Sequence, residues 1–343
     1  MPAEGVSAFA PGRVNLIGEH TDYNRGLCLP FAVEQGVTVS ALPVRGDALE
    51  VHATTLGEVG LFELDSRAPA EGWRAFVRGA LAELAEAGAE VPPARVEIRS
   101  DLPIGAGLAS SAAFSVALCL ALLTLAGSPR LDRVDLALLC SRVENEWVGA
   151  RTGLLDQMAS LFASPDEAVR IDMASLDVAA VPLDLGGAAL ATLDSGAPHE
   201  HAASGYNERR EQCAAACELL GLRSLRDALP EDVNRLPEPL SRRAHHVLSE
   251  NERVDAMVAA LWRGDPKSAG RLLDASHASL RDDYEVSLPE VERAVTRAKL
   301  AGALGARLVG GGFGGHVLAL FPPDAELPED ALVVRPGRGA RLL

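Results

Sequence analysis

Apolar residues recur along this chain with the periods of helices and strands in alternation. From Glu71 to Ala87, Trp73, Phe76, Val77 and Leu81 fall at i, i+3, i+4 and i+8, which predicts a helix with one apolar face. A second helix is predicted from about Ser110 to Ala126, where Pro129 stops it, and a third starts at Asp132 and runs to about Val148. Clustered β-branched residues predict strands at Val37 to Ala41 and Arg95 to Arg99, and strand-like segments follow at Ala168 to Ile171 and Ala188 to Leu193. The second half reads as mostly helical: Tyr206 to Leu220, Leu240 to Trp262, Lys267 to Leu280 and Pro289 to Ala301. It closes with strands near Arg307 to Val309, Val317 to Phe321 and Ala331 to Val334. This is an α/β pattern of mixed sheets with helices. The 343 residues suggest two domains, and the glycine pair Gly186–Gly187 divides them into 1–187 and 188–343. No low-complexity linker separates the halves, so they are expected to share an interface.

The second predicted helix is preceded by LPIGAGLASSAAF, Leu102 to Phe114. Gly105 and Gly107 lack a Cβ, so the backbone can turn sharply and bring N–H groups close to an anion. The helix that follows presents its free N–H groups and the positive end of its dipole to the same point. Ser110 or Ser111 can bond a phosphate or offer a hydroxyl to Mg²⁺. A nucleotide-triphosphate site is therefore expected here. Three plainer readings compete. A membrane span would need about 20 apolar residues, and Ala112 to Ala126 is shorter than that. A dinucleotide fingerprint would need glycine where Ser110 stands. The third is a glycine turn feeding a buried helix. No Walker-type string occurs, and the chain has only two lysines, Lys267 and Lys299. Backbone amides, an arginine and a metal would have to supply the positive charge.

Composition narrows the partners. A net charge of −16 argues against non-specific nucleic-acid binding, which needs a basic face. The five cysteines are odd in number and contain no C-x-x-C, so neither a disulfide framework nor a zinc site is suggested. No signal peptide is evident at the N-terminus. The expectation is a cytoplasmic protein that binds small molecules, with no membrane association and no obligate protein partner.

Other polar clusters stand out. In PGRVNLIGEHTDYN, Pro11 to Asn24, four consecutive polar residues, Glu19, His20, Thr21 and Asp22, could read several hydroxyls of a small ligand at once, or could form a solvated turn. Arg13 adds a planar fork suited to an anion. GARLVGGGFGGH, Gly305 to His316, holds five glycines between Gly310 and Gly315, which allows close approach to a ligand or a plain turn between strands. In GLLDQ, Gly153 to Gln157, Asp156 reads as a loop residue, either a cap or a base beside a phosphate site, and Glu144 upstream could bind Mg²⁺. His199 and His201 are too few for a metal site, and His245 and His246 read as solvated on a charged helix face.

Taken in order, the three glycine-rich strings resemble the three motifs of the GHMP kinase superfamily, and the EHTDYN core resembles the signature of its galactokinase family. GLLDQ, GYNERREQC (Gly205 to Cys213) and SLRDDYEVSLPE (Ser279 to Glu290) extend the likeness over most of the chain. The resemblance implies a two-domain α/β fold with its active site in the interdomain cleft. It implies transfer of the ATP γ-phosphoryl group to the anomeric hydroxyl of galactose, the first committed step of galactose catabolism. Asp156 then matches the catalytic aspartate and Arg13 the transition-state arginine. Glu19, His20, Thr21, Asp22, Asp156 and Tyr206 fall at sugar-contacting positions. Gly105, Ala106, Gly107, Leu108, Ala109, Ser110 and Ser111 match the ATP loop, Trp73 an adenine neighbour, and Ser111 and Glu144 the Mg²⁺ ligands. The chain departs from the family's usual pattern at Ala109, Ala113, Thr152, Asp194 and His316. A kinase for a related sugar, such as N-acetylgalactosamine or arabinose, and a non-catalytic galactose sensor are the alternatives.

Overall fold

The computed structural model describes residues 5–103, 107–127, 131–197 and 202–343. Gly105 and Ala106 of the expected ATP loop, and His199 and His201, lie outside the described residues. Ten residues that the periodicity did not mark open the fold: Val6–Asn15 is a strand. It pairs antiparallel with Pro30–Pro43, and the register shifts between Pro11 and Arg13. Together they occupy the middle of a six-stranded sheet whose spatial order is Arg341–Leu342, Val6–Asn15, Pro30–Pro43, Ala94–Ser100, Ala48–Ala53, Glu58–Glu63. The last strand of the chain thus lies beside the first, with Ala8 opposite Leu342.

The helix Ser110–Leu125 packs on Val6–Asn15 and Pro30–Pro43, the second and third strands of this sheet. Its buried residues include Ala112, Ala113, Val116, Ala117, Leu118 and Leu122, so it is apolar nearly all round, as a core helix must be. That explains its uncharged composition, and among the described residues no helix is long and apolar enough to cross a membrane. The helix expected from Asp132 to Val148 forms as Arg133–Arg142, capped by the Asp132 side chain on the Asp135 N–H, and then widens into a π-turn at Val143–Val148. The widening carries Glu144 into the interior. A further helix, Leu155–Phe162, was not anticipated, and it places Asp156 in its first turn rather than in a loop.

A four-stranded sheet forms the second layer, in the order Gly305–Val309, His316–Phe321, Ala189–Asp194, Leu332–Val333. Gly186 and Gly187 sit in the turn just before Ala189–Asp194, both with positive φ. Helices Pro266–Asp282 and Pro289–Leu300 cover this sheet. The long helix Leu240–Trp262 lies between Pro266–Asp282 and Ala202–Leu220. A small sheet, Leu27–Cys28, Glu167–Asp172 and Asp177–Pro182, also touches the long helix. Val254, Met257 and Leu261 of that helix join the same apolar core as Val14, Leu16 and Leu29.

Leu118 is fully buried on the core helix. Leu118→Ala is expected to lose about 2–5 kcal/mol of unfolding free energy, read as a drop in the urea midpoint with unchanged slope.

Candidate active site

A cavity of about 430 Å³ opens where the first, middle and last glycine strings converge. Arg13, Glu19, His20, Asp22, Asp156 and Tyr206 line it, together with Gly107 and the Gly310–Gly315 turn. Residues far apart in sequence meet here, as the motifs predicted.

Arg13 sits at one end. Its Nε donates to Asp156 Oδ1 at 2.7 Å, and its Nη1 donates to the Gly107 carbonyl at 2.9 Å. Its backbone N–H donates to the Leu108 carbonyl at 3.0 Å. The strand and the loop approach this closely because residue 12 is glycine: a Cβ there would stand 2.5 Å from the Leu108 oxygen. Gly107 and Ala109 both have positive φ, which turns the chain into the helix at Ser110. Burial pulls the Arg13 pKa down, but the charges of Asp156, Glu19 and Asp22 outweigh it and the guanidinium is held more firmly protonated.

Carboxylates crowd the other end. Glu19 is buried, and both of its carboxylate oxygens have partners. Its Oε1 meets Arg307 Nη2 at 2.9 Å and accepts from the Gly310 N–H at 2.8 Å, and its Oε2 accepts from Asn15 at 2.8 Å. Asp22 lies against Gly153, whose Cβ, were there one, would fall 1.8 Å from Asp22 Oδ2. Desolvation, with the charges of Asp156 and Glu19, pushes the Asp22 carboxyl up to about 6.

His20 adopts positive φ, and its Nδ1 lies 2.8 Å from the Tyr23 hydroxyl. Its ring packs among Tyr206, Tyr284 and Tyr23, at centroid distances of 5.5, 4.7 and 5.9 Å. Burial, then His246, Arg209 and Arg307, hold its pKa well below the usual range, so the imidazole is neutral. Tyr206 is kept as a neutral phenol by desolvation and by the nearby charge of Asp22.

Glu144 is buried beneath the loop helix. Ser115 Oγ reaches its Oε1 at 3.4 Å and Thr152 Oγ1 its Oε2 at 3.5 Å. Burial, then the charge of Asp156, raises its pKa to about 7. Ser111 lies one turn before Ser115 on the same helix. Ser110 and Ser111 line a second, more apolar cavity of about 410 Å³ with Trp73, Phe76, Ile98 and Phe114. The loop from Gly107 to Ser111 therefore borders both cavities. Trp73 is partly buried, with its Nε1 donating to Glu58 at 2.9 Å.

Two expectations fail on geometry. Thr21 does not line the cavity. It is fully buried, and its hydroxyl lies 2.8 Å from the Gly18 carbonyl and 2.7 Å from that of Leu27, so it braces its own loop. His246 is not solvated but fully buried, with Nε2 3.1 Å from the Glu19 carbonyl; only His245 is exposed. Sequence reading also missed Arg307, which is fully buried and donates through Nη1 to the carbonyls of Asn15 and Leu16. Its signal is an arginine inside the apolar strand string GARLV.

Three family patterns match the chain. Residues 2–43 fit the pattern described as the galactokinase galactose-binding signature, 75–164 the GHMP kinases N terminal domain, and 257–335 the GHMP kinases C terminal. The chain is 41% identical to a galactokinase of Thermotoga neapolitana over 92% of this chain and 89% of that one. The fold is similar to a Lactococcus lactis galactokinase crystallised with galactose, with a TM-score of 0.91, 31% identity, and coverage of 100% of this chain and 96% of that one. A mevalonate kinase from Methanococcus jannaschii shares the fold, with a TM-score of 0.69 and 16% identity over 97% of this chain and 98% of that one.

Site-resolved ¹³C NMR should find the Asp22 carboxyl titrating near 6 and the Glu144 carboxyl near 7. Asp156→Asn removes a negative charge that disfavours ionisation of both, so both midpoints are expected to fall.

Proposed function

The chain belongs to the galactokinase family of the GHMP kinases, and we propose from that premise that it transfers the ATP γ-phosphoryl group to the anomeric hydroxyl of α-D-galactose, giving α-D-galactose 1-phosphate and ADP. The observation that carries the assignment of roles is the division of charge in the cavity. Glu19, Asp22 and Asp156 supply acceptors for a neutral, hydroxyl-rich ligand. Arg13 and the Gly107 loop stand where an anion would be held.

Phosphoryl transfer depends on in-line positioning and on neutralising the phosphate oxygens. Arg13 bonds Asp156 and the phosphate-loop backbone at once, so it sets the acid beside the point of transfer. Asp156 accepts or orients the proton of the attacking hydroxyl. Glu19, His20, Asp22 and Tyr206 hold the sugar. His20, kept neutral, can both donate to and accept from hydroxyls. The apolar cavity beside Trp73 has the size and lining to take the adenine, with the triphosphate crossing the Gly107–Ser111 loop.

ATP is the phosphoryl donor. Mg²⁺ fits the donors available, because Glu144 is a buried carboxylate with only long hydrogen bonds and Ser111 is an exposed hydroxyl one turn above Ser115. Such hard oxygen ligands suit Mg²⁺ shared with phosphates. When bound, the ion neutralises charge on the transferring phosphate. Use of ATP and galactose, both small metabolites, supports a cytoplasmic setting with no obligate protein partner.

A coupled ADP-release assay over galactose, N-acetylgalactosamine and arabinose tests the assignment. Galactose is expected to give the highest kcat/KM, and turnover is expected to vanish without Mg²⁺. Turnover that prefers another of these sugars would move the assignment to a related kinase. Binding of ATP and galactose without turnover would make the chain a sensor. Asp156→Asn is expected to lower kcat by about a thousandfold or more with ATP affinity nearly unchanged. Gly153→Ala drives a methyl into the Asp22 carboxylate. It should raise galactose KM about tenfold, the cost of one hydrogen bond to a charged group.

A further inference from the structure

The loop that carries Glu19, His20 and Asp22 is mostly buried but has no regular strand or α-helix from Gly18 to Gly26 to hold its backbone. Bonds within the loop brace its middle, as Thr21 and Asn24 do, and its two ends are held by a row of polar side chains on the long helix Leu240–Trp262. His246 Nε2 lies 3.1 Å from the Glu19 carbonyl. A carbonyl only accepts, so this nitrogen bears the proton and donates. Glu250 Oε1 accepts from the Gly18 N–H at 3.0 Å. Asn251 Oδ1 accepts from the Leu27 N–H at 2.7 Å. One turn further on, Val254 closes against Gly18. Positions 246, 250, 251 and 254 share one helix face, and it grips both ends of the loop, Gly18–Glu19 and Leu27.

Each grip is itself braced. His246 Nδ1 lies 2.9 Å from Ser279 Oγ. Glu250 takes Ser276 at 2.7 Å and Arg253 at 2.6 Å. Asn251 donates to the Val247 carbonyl at 2.9 Å. His246 and Glu250 are fully buried, where an isolated polar group would be costly. Their polar atoms are used on loop backbone. The grip at Glu19 matters most, because the next residue, His20, has positive φ, a conformation that its surroundings must impose.

We propose that His246, with Glu250 and Asn251 on the same helix face, is a positioning residue for galactose binding: it fixes the Glu19–His20 backbone from the opposite half of the chain without touching the sugar. The proposal rests on the sugar site assigned above. None of the three residues lines the cavity, so their removal acts on sugar affinity through the loop. The Gly107–Ser111 loop has no bond to this helix face among the described residues, so nucleotide affinity is untouched.

The test is steady-state kinetics on the full chain, varying galactose and ATP separately, with melting temperatures measured in parallel. His246→Leu removes the donor to Glu19 and is expected to raise galactose KM about tenfold while ATP KM stays within about twofold. His246→Gln restores an N–H donor at the same reach and should recover most of the loss. Asn251→Ala, at a partly exposed position, should raise galactose KM about fivefold. It decides the matter if His246→Leu does not fold. Folded variants whose galactose KM is unchanged, or whose two KM values rise together, overturn the proposal, as does a glutamine variant no better than leucine. Absence of galactose-dependent ADP release in the unmodified chain would instead remove the assigned function.

Discussion

The ion pair between Glu19 and Arg307 is the constraint on which the site depends. It joins the polar loop of the first half to the strand leading into the last glycine turn. Arg307 also holds the carbonyls of Asn15 and Leu16, and Glu19 also holds the Asn15 amide and the Gly310 N–H. A buried pair of this kind recovers little net stability after desolvation. Its use is geometric. It leaves Glu19 no freedom to turn, and it sets the Gly310 turn against the loop so that the cavity has two fixed walls.

Within those walls charge is distributed unevenly. Three carboxylates stand near one another, and burial, with the charges of Asp156 and Glu19, raises the pKa of Asp22. The cavity tolerates them because Arg13, Arg307 and the Gly310 amide lie among them. Burial raises Glu144 as it raises Asp22, and the charge of Asp156 adds to both. A site arranged in this way favours a neutral polyol over an acid at the carboxylate end.

The sequence made the chemistry more legible than the architecture. Arg13 and Asp156 are 143 residues apart, yet both were marked, because each stands in a short string whose order is distinctive. The helices from Leu240 and Pro289 were placed within a residue of their observed ends, where the apolar period is sustained and, in the second, Pro289 opens the first turn. The strands Ala48–Ala53 and Glu58–Glu63 were not anticipated. The first alternates cleanly, with Leu49 and Val51 buried and Glu50 and His52 outward, but over only six residues; in the second Val59 and Leu61 are exposed, so its apolar positions do not mark the core. His246 was misjudged because the charged residues around it suggested solvent. A clue was present: positions 243, 247, 250, 254, 257 and 261 form the buried stripe of that helix, and two of them are Arg243 and Glu250. Charged residues on a core stripe signal buried partners. Thr21 erred the other way, since a threonine between His20 and Asp22 gives no hint that its hydroxyl turns back onto the loop.

Arg13 touches both halves of the reaction. One guanidinium nitrogen holds the carbonyl of Gly107, and another holds the carboxylate of Asp156. The group is planar and stiff, so it acts as a crossbar between the Gly107 loop and the Asp156 carboxylate. Were binding on one side to shift that crossbar, the geometry on the other side would shift with it. Thermodynamic linkage would make any such effect mutual: whatever free energy the first substrate lent to the second would be returned in equal measure when they arrive in the reverse order.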